Sequence, residues 1–153
     1  MTTQDFGADL NEIRESFEFF DSWEDKYRFV IDLGKSLPDM DPAAKTEENL
    51  VRGCQSQVWL EAGVDPATGR MHFELDSDAH IVRGLIAIVL AAYQDRTPAQ
   101  VLEFDIEGLF DELDLLRHLS ATRGNGLRAM IDSIRRTAAA AQPDANGSQA
   151  TQA

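Results

Sequence analysis

The chain has 153 residues, a formal net charge of -13, and 43% hydrophobic and 27% charged side chains. That length suits one domain with its own core and is short for two. The acidic excess weighs against a nucleic-acid partner, because binding to a phosphate backbone draws its free energy from cations that displace counterions.

The opening residues, Met1-Thr-Thr-Gln-Asp, carry no basic stretch leading into an apolar one, as an export signal does, so a cytoplasmic protein is expected. Leu10, Ile13, Phe17 and Phe20 fall three or four apart and predict an amphipathic helix whose other side carries Glu12, Arg14, Glu15 and Glu18. Asp21 or Ser22 caps a second predicted helix, with Asp25 three residues after Ser22 and Trp23, Tyr27, Val30 and Ile31 facing inward. Gly34 and Pro38 are expected to end it. From Pro38 to Glu48, two prolines and no apolar period predict an exposed connection.

Val58, Leu60, Ala62 and Val64 alternate with Gln57, Trp59, Glu61 and Gly63, which predicts a strand with one apolar face. Asp65-Pro66-Ala67-Thr68-Gly69 is a turn, and Met71, Phe73 and Leu75 complete a hairpin. Asn49 to Arg52 is expected to add a short third strand. Asp76-Ser77-Asp78 offers capping oxygens to a helix from about Ala79 to Gln94. Apolar residues cover most of that helix, making it the expected central one, and its longest apolar run, Leu85 to Tyr93, is far below the roughly 18 to 20 residues of a membrane span. Gly84 inside it costs about 1 kcal/mol relative to alanine, which points to close approach by another element.

Thr97-Pro98-Ala99-Gln100 opens a short helix with a capping box. Phe104, Ile106, Leu109, Phe110, Leu113 and Leu116 continue a broken helical segment to about Leu119. A last helix is predicted from Arg123 or Asn125 to Ala140, with Leu127, Met130, Ile131 and Ile134 buried and Arg135 and Arg136 near its negative end. The whole reads as one α+β domain over residues 5–140, a small antiparallel sheet of about three strands with helices packed on it, and a disordered tail over 141–153.

The candidate site is Asn49 to Leu60, which holds the only cysteine. Cys54 follows Gly53, which permits a sharp bend and a close neighbour, and precedes Gln55 and Ser56, which offer donors to a thiolate. Taken alone, an unpaired cysteine is more often a small buried hydrophobe.

Gly53-Cys54-Gln55-Ser56-Gln57-Val58-Trp59 resembles the signature of the SufE family, sulfur-acceptor proteins that work with cysteine desulfurases in iron-sulfur cluster biogenesis. The similarity extends from about Phe17 to Thr137, through Trp23-Glu24-Asp25-Lys26-Tyr27, Ser77-Asp78 before Ile81-Val82-Arg83-Gly84, and Ser120-Ala121-Thr122-Arg123-Gly124-Asn125-Gly126-Leu127. The resemblance implies a SufE/IscU-like fold and a persulfide carried on Cys54. Gly53, Gln55 and Ser56 would support it, and two loops would bring Asp78 and Arg123 near. It also implies a SufS-like desulfurase as partner, an iron-sulfur scaffold complex downstream, and no cofactor on this chain, the pyridoxal phosphate belonging to the desulfurase. The chain would then be a co-substrate and activator rather than an independent enzyme. Where the family usually has proline, Ala121 stands, so the arginine loop is expected to be looser. The plainer alternatives are that Arg123 is a surface cation and Asp78 a helix cap.

Rival readings meet physical obstacles. A cluster scaffold or metal protein takes about three or four thiolate or imidazole ligands in reach, and one cysteine with His72, His80 and His118 scattered apart falls short. A cysteine hydrolase requires a histidine base beside Cys54 that no motif supplies. An adaptor with an inert cysteine, or an acceptor for a desulfurase outside the main cluster pathway, stays open. The acidic total suits a partner with some basic rim, and no membrane partner is expected.

Overall fold

The computed structural model describes residues 9–54 and 56–142. In chain order these form α1 (Leu10–Phe19), α2 (Trp23–Ser36), a 3-10 turn (Pro42–Ala44), β1 (Val58–Val64), β2 (Met71–Ser77), α3 (His80–Tyr93), α4 (Pro98–Glu103), α5 (Ile106–Leu113), a second 3-10 turn (Leu116–His118) and α6 (Ala121–Ala141). The α+β architecture is as expected.

Helix starts follow the capping chemistry of the sequence. The Asp9 carboxylate accepts from the Glu12 amide, Ser22 Oγ from Asp25, and Asp105 from Gly108. Thr97 and Gln100 form the reciprocal capping box that opens α4. α3 is the central helix: it packs against α1, α2, α6 and β2, and Leu85 to Leu90 are all buried.

The α2–α3 crossing explains two glycines. A Cβ at Gly84 would lie 2.1 Å from the Val30 carbonyl oxygen, and one at Gly34 would lie 2.7 Å from the Gly84 nitrogen, so the two backbones touch directly. Gly34 therefore does not end α2, as expected from sequence; it sits inside the helix, which runs on to Ser36. Val30, Leu33 and Gly34 are the buried set because they lie at this crossing, whereas Tyr27, close to a turn earlier, is 37% exposed.

Among the described residues the sheet has two strands, not three. β1 and β2 pair antiparallel from Val58↔Ser77 to Val64↔Met71. Asn49 to Val51 contributes one bridge, Leu50↔Trp59, in which the Val51 amide donates to Val58 O and the Leu60 amide to Asn49 O, both at 2.8 Å. The ladder stops there because the chain turns at Arg52 and Gly53, with Gly53 at φ +92°. The other edge, along β2, is covered: the Gln94 side chain accepts from Phe73 N and donates to Phe73 O, and the Met71 amide donates to Arg96 O.

Two further expectations are corrected. The connection from Pro38 to Glu48 is exposed only in part, since Met40 is fully buried with its amide donating to Asp76 Oδ2. The last helix begins at Ala121, two residues earlier than the sequence suggested, because Ser120 Oγ accepts from the Arg123 amide and caps it. It reaches Ala141, leaving Arg135 and Arg136 more than a turn short of its end. The rest of the expected tail, from residue 143, lies outside the described residues.

Candidate functional site around Cys54

The cysteine turn is held at both ends and pressed on one helix. Upstream, Val51 is tied to Val58 through the bridge. Downstream, Asp78 grips Gln57 twice: the Gln57 amide donates to Asp78 Oδ1 at 3.1 Å, and the Asp78 amide donates to Gln57 O at 3.3 Å. Between these ties the left-handed Gly53 lies against α6, where an added Cβ would come within 3.2 Å of the Ala129 Cβ. Gly126 makes room for Cys54 itself, its missing Cβ pointing to within 3.7 Å of Sγ.

Cys54 is half-buried, and its thiol donates to the Gly126 carbonyl oxygen at 3.5 Å. Burial pushes the thiol above its usual value, because desolvation disfavours the thiolate, and a carbonyl acceptor serves only the protonated form. Among the described residues no donor reaches Sγ, so the stabilisation of an anion expected from the neighbouring polar side chains is not found in this arrangement. Gln55 lies outside the described residues.

A cavity of about 300 Å³ opens beside the thiol. Its walls are Val58 from β1, Val82 and Leu85 from α3, and Leu127 and Met130 from α6. Its mouth is polar, formed by Ser56, Ser120, Thr122 and Arg123. Of the sequence-chosen residues, Cys54, Ser56 and Arg123 line this cavity, whereas Gly53 packs on α6 beside it and Asp78 holds the turn from outside. Arg123 is on the capped first turn of α6, an ordered helix rather than the loose loop expected, and its side chain is exposed. Asp78 is not a helix cap: α3 starts at His80 with Ala79 in the N-cap position and no side-chain cap, the Ala79 amide donating to Ser77 Oγ.

Sequence reasoning missed the anchor behind Asp78. Asp76 is fully buried and accepts from the amides of Met40 and Ser77. It also pairs with Arg83 and, at 3.3 Å, with Lys45. Burial alone would raise this carboxyl, but the two amides and the two cations outweigh it and hold the group below the usual carboxylate range. Arg83 in turn donates to Leu37 O at the end of α2 and pairs with Asp39 at 3.2 Å. The signal was available in part, since Arg83 is the one basic residue inside the apolar α3 and a cation placed there demands a buried acceptor.

The histidines stand apart from the thiol. His72 Nε2 lies 3.8 Å from Glu74, His118 stacks on Trp23 with ring centroids 4.4 Å apart, and His80 opens α3. None of the three lines the Cys54 cavity. Among the described residues, no group of three or more His, Cys, Asp or Glu side chains converges as metal ligands, and no helix is long and apolar enough to cross a membrane.

Comparison with known proteins agrees with this architecture. Residues 11–138 match the family model described as SufE, Fe-S metabolism associated domain. An uncharacterized SufE-like protein of Rhizobium etli is 48% identical over 135 residues, which cover 87% of this chain and 91% of that protein. One from Rhizobium meliloti is 48% identical over 128 residues, covering 82% and 91%. The solution structure of a hypothetical protein from Thermus thermophilus has the same fold, with a TM-score of 0.69 at 19% identity over 86% of this chain and 94% of that one. With the family match spanning the helices, the hairpin and the cysteine turn alike, the chain belongs to the SufE family, which is associated with Fe-S metabolism.

Proposed function

We propose that this chain is the sulfur acceptor and activator of a cysteine desulfurase, carrying persulfide sulfur on Cys54 toward iron-sulfur cluster assembly. The observation that carries the reading is a lone, half-buried thiol in hydrogen-bond reach of Gly126 O, at the side of a cavity with apolar walls and room for one more sulfur atom.

In the transfer, Cys54 Sγ gives up its proton and attacks the outer sulfur of a cysteine persulfide on the partner. The new S–S bond forms at Cys54, the partner's S–S bond breaks, and the partner's cysteine leaves as a thiolate that takes up a proton. No electrons are gained or lost overall. Pyridoxal phosphate on the desulfurase generates the donor persulfide, and this chain supplies the acceptor.

At rest the raised thiol is a poor nucleophile, which keeps it from stray oxidants and disulfides. Docking must therefore either lift Cys54 off Gly126 or bring a positive group to the thiol. A persulfide, once formed, is sheltered by Val58, Val82, Leu85, Leu127 and Met130.

Incubation with a cysteine desulfurase and free cysteine, followed by intact mass measurement, tests the reading. A gain of one sulfur atom, reversed by reductant and absent in Cys54→Ser, is expected. Tight association with the desulfurase but no mass gain in the wild type would assign the chain to the adaptor role with an inert cysteine.

A further inference from the structure

Behind the cysteine turn, on the far face of the hairpin, a lysine joins groups from two strands. Val58 points into the Cys54 cavity, so the next residue of β1, Trp59, stands on the opposite face of the sheet, beside its register partner Asp76. Lys45 reaches both: its Nζ lies 3.3 Å from Asp76 Oδ2 and 5.2 Å from the centroid of the Trp59 ring. Its side chain is 32% exposed, against 72% for Arg28 and 73% for Lys35, so it is not a solvated surface cation. Exposed ion pairs hold little, but here the carboxylate is fully buried and the cation sits by an aromatic face, an attraction that strengthens as water is excluded.

The upstream side of the turn is tied to the same place. Asn49 Nδ2 donates to Ala44 O at 2.7 Å, the Asn49 amide to Thr46 O and the Leu50 amide to Glu47 O, so residues 44–50 form one compact piece. That piece leads into the bridge in which Asn49 O accepts from Leu60 and the Val51 amide donates to Val58. Both ends of the cysteine turn therefore meet at Lys45, the upstream end through Asn49 and the downstream end through Trp59. Asp76, the fixed point between them, is held by Arg83 and by the amides of Met40 and Ser77.

We infer that Lys45 is a positioning residue for Cys54: by joining buried Asp76 to the Trp59 ring it holds the two sides of the turn together from the back of the sheet and so keeps the thiol against Gly126. Lys45 thereby deepens the proposed acceptor role, on which this reading rests, because docking can activate the thiol by lifting it off Gly126 and Lys45 sets how readily the turn yields. Asp78 clasps the turn at its exit, and Lys45 clasps its base.

Alkylation of Cys54 by iodoacetamide, an uncharged reagent, tests this as a function of pH in the wild type, Lys45→Met and Lys45→Arg. Methionine keeps an unbranched apolar stem and drops the charge, whereas arginine keeps the charge and stacks on aromatic faces. In Lys45→Met the limiting rate is expected to rise about 3- to 10-fold, as local opening of the turn becomes easier. The midpoint is expected to fall toward the free-thiol value of about 8.5, as the thiol leaves its burial. A cation acting through its charge alone would do the reverse, since its loss disfavours the thiolate and moves the midpoint up. Lys45→Arg is expected to stay near the wild type. Trp59→Leu, which removes the ring and leaves the ion pair, is expected to reproduce the Lys45→Met changes, and the double variant to add little to either. An unchanged or raised midpoint in Lys45→Met, or equal alkylation of the methionine and arginine variants, would overturn the inference. Ile13→Val, in the core of α1, lowers global stability away from the turn and is expected to leave rate and midpoint as in the wild type. If it alkylates as Lys45→Met does, the effect is one of overall stability and Lys45 has no positioning role. Because alkylation involves no desulfurase, a wild type that acquires no sulfur would end the acceptor reading while these rates still decide the part played by Lys45.

Discussion

Replacing Gly84 by alanine tests the crossing on which the site's back wall is built. The new methyl would lie 2.1 Å from the Val30 carbonyl oxygen and 2.6 Å from Val30 Cγ1. An ordinary C···O contact is about 3.3 Å, so α2 and α3 must separate by roughly 1 Å at this point. The obstacle is backbone, which cannot rotate out of the way as a side chain would. Overpacking of this kind costs about 1–3 kcal/mol or more, and the better helix propensity of alanine returns about 1 kcal/mol. A net loss of about 2 kcal/mol is expected, equivalent to a melting temperature lower by about 4–8 °C in a chain of this size. Thermal unfolding followed by circular dichroism measures it. The companion variant Gly34→Ala meets the same crossing from the other side, 2.7 Å from the Gly84 nitrogen. Because one separation serves both methyl groups, the double variant should lose less than the sum of the two singles. A Gly84→Ala protein as stable as the wild type, or more so, would refute the close approach.

Three further outcomes follow from the site. Asp76→Asn should cost about 3 kcal/mol or more in urea unfolding at neutral pH, since it removes the buried negative charge that pairs with Arg83 and Lys45 and turns one acceptor oxygen into a donor facing them. Asp76 titrates below its unfolded value of about 4, so its contribution is complete above that pH and is lost as the pH falls through the lower folded value; the variant should lack this part of the acid dependence. The rate of Cys54 alkylation by iodoacetamide should rise with a midpoint above the free-thiol value of about 8.5 and return to it in urea, and a folded-state midpoint below 8.5 would contradict the protonated resting thiol. The same upward shift means that fold stability from this group is full below about 8.5 and declines as the pH rises through the folded value. Asp78→Ala should leave global stability within about 1 kcal/mol, because its hydrogen bond to Gln57 is exposed, yet raise the alkylation rate of Cys54 several-fold by freeing the exit of the turn. Unchanged alkylation would show that Asp78 does not hold the turn.

The candidate site was legible to the extent that its chemistry lies in neighbouring residues. Gly53 and Cys54 are adjacent, and Ser56 follows, so the turn and its thiol could be named from the chain alone. Arg123 was found through resemblance and turned out to stand on a helix, because the cap that decides this is the single hydroxyl of Ser120 three residues earlier. The apolar walls of the cavity could not be singled out, since Val82, Leu85, Leu127 and Met130 look like any buried stripe until three elements are brought together.

What the amino-acid order determined by itself was everything governed by contacts three or four residues apart, or by strict alternation: the caps at Ser22 and Thr97, the inward stripes of α1 and α6, and the two paired strands with their apolar face. Tertiary structure alone decided that Asp76 meets Met40, 36 residues away, that Gly34 and Gly84 share a backbone contact, and that a third strand shrinks to one bridge. It also buried the Cys54 thiol, and so raised its pKa, against a helix residue 72 positions downstream. The physical reason is that a local hydrogen bond is chosen from very few partners, whereas burial and long-range pairing depend on which distant surfaces exclude water together.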